Sequence, residues 1–165
     1  MRYLIPLLVT SFLVVNSTFS AVVIDLKTHL SQKISLLPMK IGTAYFLNRK
    51  GYTTLGIDED YAVWLKEYKK TKFAKTSYKV EFTVAITKPS FLLEKDAFAE
   101  KSFAYQYDLK KIDEIELDNS LLELLRKKMQ HYSKHSYQQA VLGGEMAAKF
   151  VDEFVKARKK AKQEE

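Results

Sequence analysis

Two of the chain's three histidines, His131 and His135, stand four residues apart in HYSKHSYQQAVLGGEMAAKF. On a helix that spacing puts both imidazoles on one side, within reach of a single metal ion. A stable zinc site wants a third and usually a fourth ligand, however. The residues between the pair are Tyr132, Ser133 and Lys134, which lack the glutamate of a metalloprotease helix. His29 or Glu145 could complete a set only if folding brought them there. The pattern favours ordinary boundary histidines, with a small metal-binding protein or metal-dependent hydrolase centred on His131 and His135 as the alternative.

Other chemistry is sparse. The chain has no cysteine, so thiol catalysis, disulfides and cysteine metal sites are excluded. No Gly-x-Ser-x-Gly elbow, phosphate-binding loop or dinucleotide fingerprint occurs, and no cofactor is implied. Asp58, Glu59 and Asp60 could gather a cation, but acids ahead of a helical stripe more simply complement the helix dipole. The pairs Glu94 with Asp96 and Asp113 with Glu114 sit in charge-rich, turn-like stretches where solvated carboxylates are expected. A non-enzymatic protein is the better reading. The residues that could line a binding pocket are aromatic: Tyr61, Trp64 and Tyr68, or Phe103, Tyr105 and Tyr107. If they lie open in a concave pocket they bind, and if fully buried they build the core.

The chain begins MRYLIPLLVTSFLVVNSTFS, largely apolar from Leu4 to Val15 and free of acids, with small residues at Thr18 and Ser20. This is the pattern of a secretory signal peptide spanning residues 1–20, too short to cross a bilayer, with cleavage before Ala21. Residues 21–165 then form a single domain carrying 26 basic and 20 acidic side chains, with no transmembrane helix. A basic exported protein is drawn to anionic envelope components, and Lys156, Arg158, Lys159, Lys160 and Lys162 could serve such a contact. Nucleic acid is a poor partner, because there is no arginine-rich cluster, zinc-finger spacing or aromatic RNA-binding motif. The oligomeric state is not legible. Together these features describe an exported accessory or binding protein of the cell envelope, periplasmic in preference to extracellular, acting through a surface or an aromatic-lined pocket.

The elements that must position these residues are read from periodicity. Residues 22–37 have helical spacing ended by Pro38, although the start Val22-Val23-Ile24 leaves an opening strand possible. Residues 41–57 read as a hairpin turning at Asn48-Arg49-Lys50-Gly51. Tyr61, Trp64, Leu65 and Tyr68 form a helical stripe, and Tyr78 to Ile86 alternate as a strand. Lys88-Pro89-Ser90 makes a turn, and residues 91–109 give one or two strands with Phe103, Tyr105, Tyr107 and Leu109 on one face. One long helix, about 119–160, capped by Asp118 or Asn119, carries Gly143 and Gly144 as a small-residue notch where another element approaches closely, or as a bend. The fold class is α+β: a mainly antiparallel sheet of four to five strands, covered on one face by helices, with a long C-terminal helix.

Overall fold

The computed structural model describes residues 21–55, 58–89, 96–114 and 116–164. The N-terminal apolar segment, Ser90 and most of the stretch after it lie outside the described residues. The elements in chain order are β1 (Ile24–Thr28), a short 3-10 turn, α1 (Lys33–Arg49), β2 (Tyr61–Lys72), β3 (Ser77–Thr87) and β4 (Ala99–Asp108). After a second 3-10 turn come α2 (Asn119–Lys128), α3 (Lys134–Gln138), one π turn (Gln139–Gly143) and α4 (Gly144–Gln163). The sheet order is β1-β2-β3-β4. The sheet has four strands and is mixed, not purely antiparallel: β1 runs parallel to β2, while the other two pairings are antiparallel. The parallel pair has a topological cause: α1 carries the chain back across the sheet, so β2 must start at the same end as β1.

β3 is the strand expected from its alternation. Val80, Phe82, Val84 and Ile86 point to the helices, and Thr83, Ala85 and Thr87 point away. β2 is a correction, because its helix-like stripe folds as a strand. Val63 and Leu65 face the helices while Ala62 and Trp64 are buried on the other side, so the polar alternation that marks a strand is missing. A bulge between Lys66 and Lys69, with Glu67 at φ 56°, inserts an extra residue. Leu65 and Tyr68 therefore share a face although three apart, which imitates helical spacing.

The predicted hairpin is also corrected. Residues 41–49 are the second half of α1, and Gly51, at φ 90°, comes just after the helix end rather than closing a strand turn. Ile41, Thr43, Tyr45 and Phe46 are locally strand-prone, but Leu36, Met39, Thr43 and Leu47 are buried at helical spacing, and packing decides. Thr43 Oγ1 donates to the Met39 carbonyl at 2.8 Å, so its buried hydroxyl is satisfied within the helix. Pro38 lies inside α1 instead of ending it. The hydrogen bond it removes would go to the carbonyl of Ile34, an exposed residue near the helix start where water can substitute.

The long C-terminal helix starts later than expected. Asp118 caps α2 by accepting from the backbone N–H groups of Ser120 and Leu121, and α2 ends at an extended Met129. Ser133 then caps α3. Gly143 and Gly144 do not break the chain: α3, the π turn and α4 run on continuously, and the interruption lies at residues 129–133. The notch is real, because α1 crosses at these glycines and at Gly42. The extra residue of the π turn rotates the helix beyond it, so the buried apolar side chains of α4 are Ala147, Ala148, Val151 and Val155. These, with Leu36, Met39 and Leu47 of α1, pack on the helix-facing side of the sheet. A second core holds Ile41 of α1 against Leu121, Leu122 and Leu125 of α2 and Tyr137 of α3.

Candidate functional site

The aromatic candidates divide by sheet face. Trp64 lies on the outer face over Ala62 and Ala85, its indole N–H donating to Thr87 Oγ1 at 3.3 Å. Tyr61 is half-buried and meets Phe154 edge-on at 5.6 Å. Phe103 stacks on Phe82, and Tyr107 stacks on Tyr78. Tyr105 and Tyr107 are buried and Phe103 is half-buried, and the edge of Tyr107 lines a shallow surface pocket of about 430 Å³ with Phe73, Gln138 and Leu142. Gln139, aimed by the π turn, donates to Tyr68 Oη at 2.6 Å. Burial raises the phenol of Tyr107 to about 12, against a hydrogen bond from the same Gln139 amide. Burial likewise pushes Tyr68 and Tyr105 upward, so all three are neutral hydroxyls.

Tyr105 Oη is, among the described residues, a buried side-chain polar atom with no hydrogen-bond partner. An orphaned buried hydroxyl costs about 1–3 kcal/mol of desolvation. Tyr105→Phe is therefore expected to stabilise the protein by about 1 kcal/mol, a rise of roughly 3 °C in melting temperature. Calorimetry of the two proteins checks this, and a lower melting temperature in the variant would show that the hydroxyl has a partner in solution.

The histidines do not share a helix face. His131 is exposed in the irregular link before α3, and His135 is half-buried within α3. His135 Nδ1 lies 2.7 Å from Tyr107 Oη, and its ring meets Tyr78 edge-on at 4.6 Å. Burial first, and the charge of Lys70 second, hold its pKa below the ordinary histidine value. No group of three or more His, Asp or Glu side chains able to hold a metal occurs among the described residues.

The feature best shaped to receive a ligand lies elsewhere, in a groove of about 510 Å³ between α1, α2, β1 and the segment after α1. Its position comes from one stripe of α1. Residues 37, 40, 41, 44 and 48 fall within about 100° of each other around the helix axis. Leu26, Leu37, Ile41, Ala44, Leu55 and Leu124 supply apolar walls, while Asp25, Lys40, Tyr45, Asn48 and Lys128 supply polar groups. The volume is that of a small-molecule site, which ordinarily spans about 300–1,000 Å³. Asp118 fixes the far end: Tyr45 Oη donates to its carboxylate at 2.7 Å, and Arg49 approaches it at 3.4 Å, tying α1 to the start of α2. Thr54 Oγ1 donates to Asn48 Oδ1 at 3.1 Å and seats the third wall.

No protein-family model matches the chain, and no curated protein is significantly similar to it. Among solved structures, the chain is similar to a minor lipoprotein from Acinetobacter baumannii, known from a 2.35 Å crystal structure. The TM-score is 0.44 and the identity 12%, over 82% of this chain and 92% of that one.

The electrostatics of the groove are asymmetric. Lys40 is half-buried, and no carboxylate among the described residues makes an ion pair with it. Burial pulls its ammonium below the usual lysine value; Asp25 opposes that, and Lys33, Lys27 and Lys128 reinforce it. Asp25 is already bridged by Lys27 at 3.0 Å. An anion entering the groove would thus meet a partly desolvated ammonium in a cationic surround, where a charge-assisted hydrogen bond is stronger than in water. Periodicity and motif place none of the groove's residues in a site, because its α1 stripe is visible only once residues 41–49 are known to be helical.

Proposed function

We propose that this is an exported, non-enzymatic binding protein of the cell envelope, and that the α1–α2–β1 groove holds an amphiphilic anion, a carboxylate with a single hydrocarbon chain. The observation that carries the reading is Lys40, half-buried and without an ion-pair partner among the described residues, at the polar side of an apolar-walled groove. The apolar walls take the chain by burial, at about 25 cal/mol per Å² of apolar surface. Lys40, backed by Lys128, binds the head group. Export rests on the apolar N-terminal segment, and no helix among the described residues is long and apolar enough to cross a membrane.

The test is calorimetric titration of the lipid-stripped protein with palmitate. Wild type is expected to bind, Lys40→Met to bind about tenfold more weakly, and Lys40→Glu more weakly still. Leu37→Asp, which puts a charge in the apolar wall, is expected to abolish binding. Absence of binding by the wild type, or affinity unchanged in Lys40→Glu, would overturn the reading.

A further inference from the structure

The turn between β2 and β3 stands apart from the groove and from the tyrosine row. Residues 68–80 contain Lys69, Lys70, Lys72, Lys75 and Lys79 and no acid. Lys79 is paired with Glu81. Lys69, Lys70, Lys72 and Lys75 are exposed and have no ion pair among the described residues. At the turn itself sits Phe73, 56% exposed, on a backbone closed by hydrogen bonds from Phe73 and Ala74 N–H to the Ser77 carbonyl. The nearby carboxylate of Asp108 is taken up by Ser77 Oγ at 3.2 Å and the Lys110 N–H at 3.0 Å, and Lys110 and Lys111 add positive charge beside it. Lys70 and Lys72 each place Nζ 5.8 Å from the Tyr78 ring, which holds them along the hairpin.

The turn presents an apolar wedge ringed by cations, and a strand register that continues to Lys72 opposite Tyr78 keeps it stiff. A polyanion without bases or apolar groups would use the lysines and gain nothing from an exposed phenylalanine, and the chain has no nucleic-acid-binding motif. A bilayer bearing anionic lipids uses both, because the cations meet the head groups while the ring enters the interface. We infer that the β2–β3 turn is a docking tip for anionic membrane surfaces, with Phe73 as the inserting residue and Lys70, Lys72 and Lys75 as the head-group contacts.

The chain lacks cysteine, so Ala74→Cys gives a unique place for an environment-sensitive fluorophore beside Phe73, and Lys149→Cys gives a control on α4. The full-length protein is titrated with phosphatidylcholine vesicles containing or lacking 30% phosphatidylglycerol, taken as about one lipid in three to supply a negative surface potential. The expected result is a blue shift at position 74 and none at 149, only with the anionic vesicles. Phe73→Ser is expected to weaken it about tenfold, and joint replacement of Lys70, Lys72 and Lys75 by Gln about a hundredfold. Position 149 reports burial of the α4 face, and the loss of the shift at position 74 in Phe73→Ser ties that shift to the tip itself. The inference is overturned by no shift at position 74, by an equal shift with neutral vesicles, or by a shift indifferent to Phe73→Ser and competed away by a soluble polyanion.

Discussion

Gly42→Ala is expected to destabilise the protein by about 3 kcal/mol or more, lowering the melting temperature by roughly 10 °C, and Gly42→Val to prevent folding. Helix propensity alone argues the reverse, since alanine is better than glycine inside a helix by about 1 kcal/mol. Packing overrides it. A Cβ at Gly42 would overlap the Ala140 carbonyl, and one at Gly144 would lie 2.6 Å from the Gly42 carbonyl carbon. Those neighbours are backbone, so relief requires α1 and the π turn to separate, opening the buried seam that holds Met39, Ala147 and Val151. Gly143→Ala is the internal control, because the nearest neighbours of its Cβ would be atoms of the Met39 side chain, with the terminal methyl at 2.6 Å, and a methionine can swing away. Thermal melts of the two alanine variants check the ordering. Equal losses would mean that the helices are not in backbone contact.

This close approach is legible from glycines falling on the buried side of a helical pattern, and so is the Asp118 cap. Legible features share a cause: each is decided within a few residues. Val80, Phe82, Val84 and Ile86 alternate because β3 is regular along its length. β2 misleads because its bulge at Glu67 and its burial on both faces each erase a local signal. Residues 41–49 mislead because their strand propensity is overruled by contacts with α4 and the π turn, about a hundred residues away. The break at residues 129–133 is hidden because the leucines of α2 and the small residues of α4 happen to continue one another's phase.

Errors of element type propagate to the site. With residues 41–57 read as a hairpin, Lys40, Ile41, Ala44 and Asn48 cannot be seen as one face, so the groove has no sequence signature. With residues 58–72 read as a helix, Lys69, Lys70 and Lys72 are only complements to a helix dipole, and Phe73 is not visible at a turn. The aromatic candidates are legible as a cluster in part, since Tyr68, Phe103, Tyr105 and Tyr107 do share the helix-facing side. Tyr105 and Tyr107 are buried there, and Tyr68 and Phe103 half-buried.

Asp152→Ala should destabilise the protein by about 2 kcal/mol, because it removes the buried acceptor of the part-buried Tyr52 hydroxyl together with its bond to Lys156, whose exposed ammonium can turn to water. Asp152 is buried on α4 and accepts from Tyr52 Oη at 2.6 Å and Lys156 Nζ at 2.8 Å, with Lys50 at 3.8 Å. The bond to Tyr52 anchors the chain where it leaves α1 and turns toward β2, next to the bridge between Thr53 and Val23 that aligns β1. Burial pushes the Asp152 carboxyl up, but hydrogen bonds from Lys156 and Tyr52 and the charges of Lys156 and Lys50 hold it below the usual carboxylate value. A depressed folded-state pKa means that the unfolded chain binds the proton first. The stability from this group is complete above the unfolded value of about 3.9 and is lost as pH falls through the lower folded value. Tyr52 runs the opposite way, its phenol raised first by burial and then by Asp152, so its contribution is complete below about 10 and is lost at higher pH. Denaturant unfolding across pH is therefore expected to give a wild-type curve falling at both ends. Asp152→Asn should flatten the acid limb, leaving the part due to Asp118 and Asp108, which are also depressed. Tyr52→Phe should remove only its own share of the alkaline limb, leaving the part due to the raised phenols of Tyr68, Tyr105 and Tyr107, while reducing the acid limb. An acid limb of unchanged slope in Asp152→Asn would mean that the carboxylate is not held by Tyr52 and Lys156 in solution.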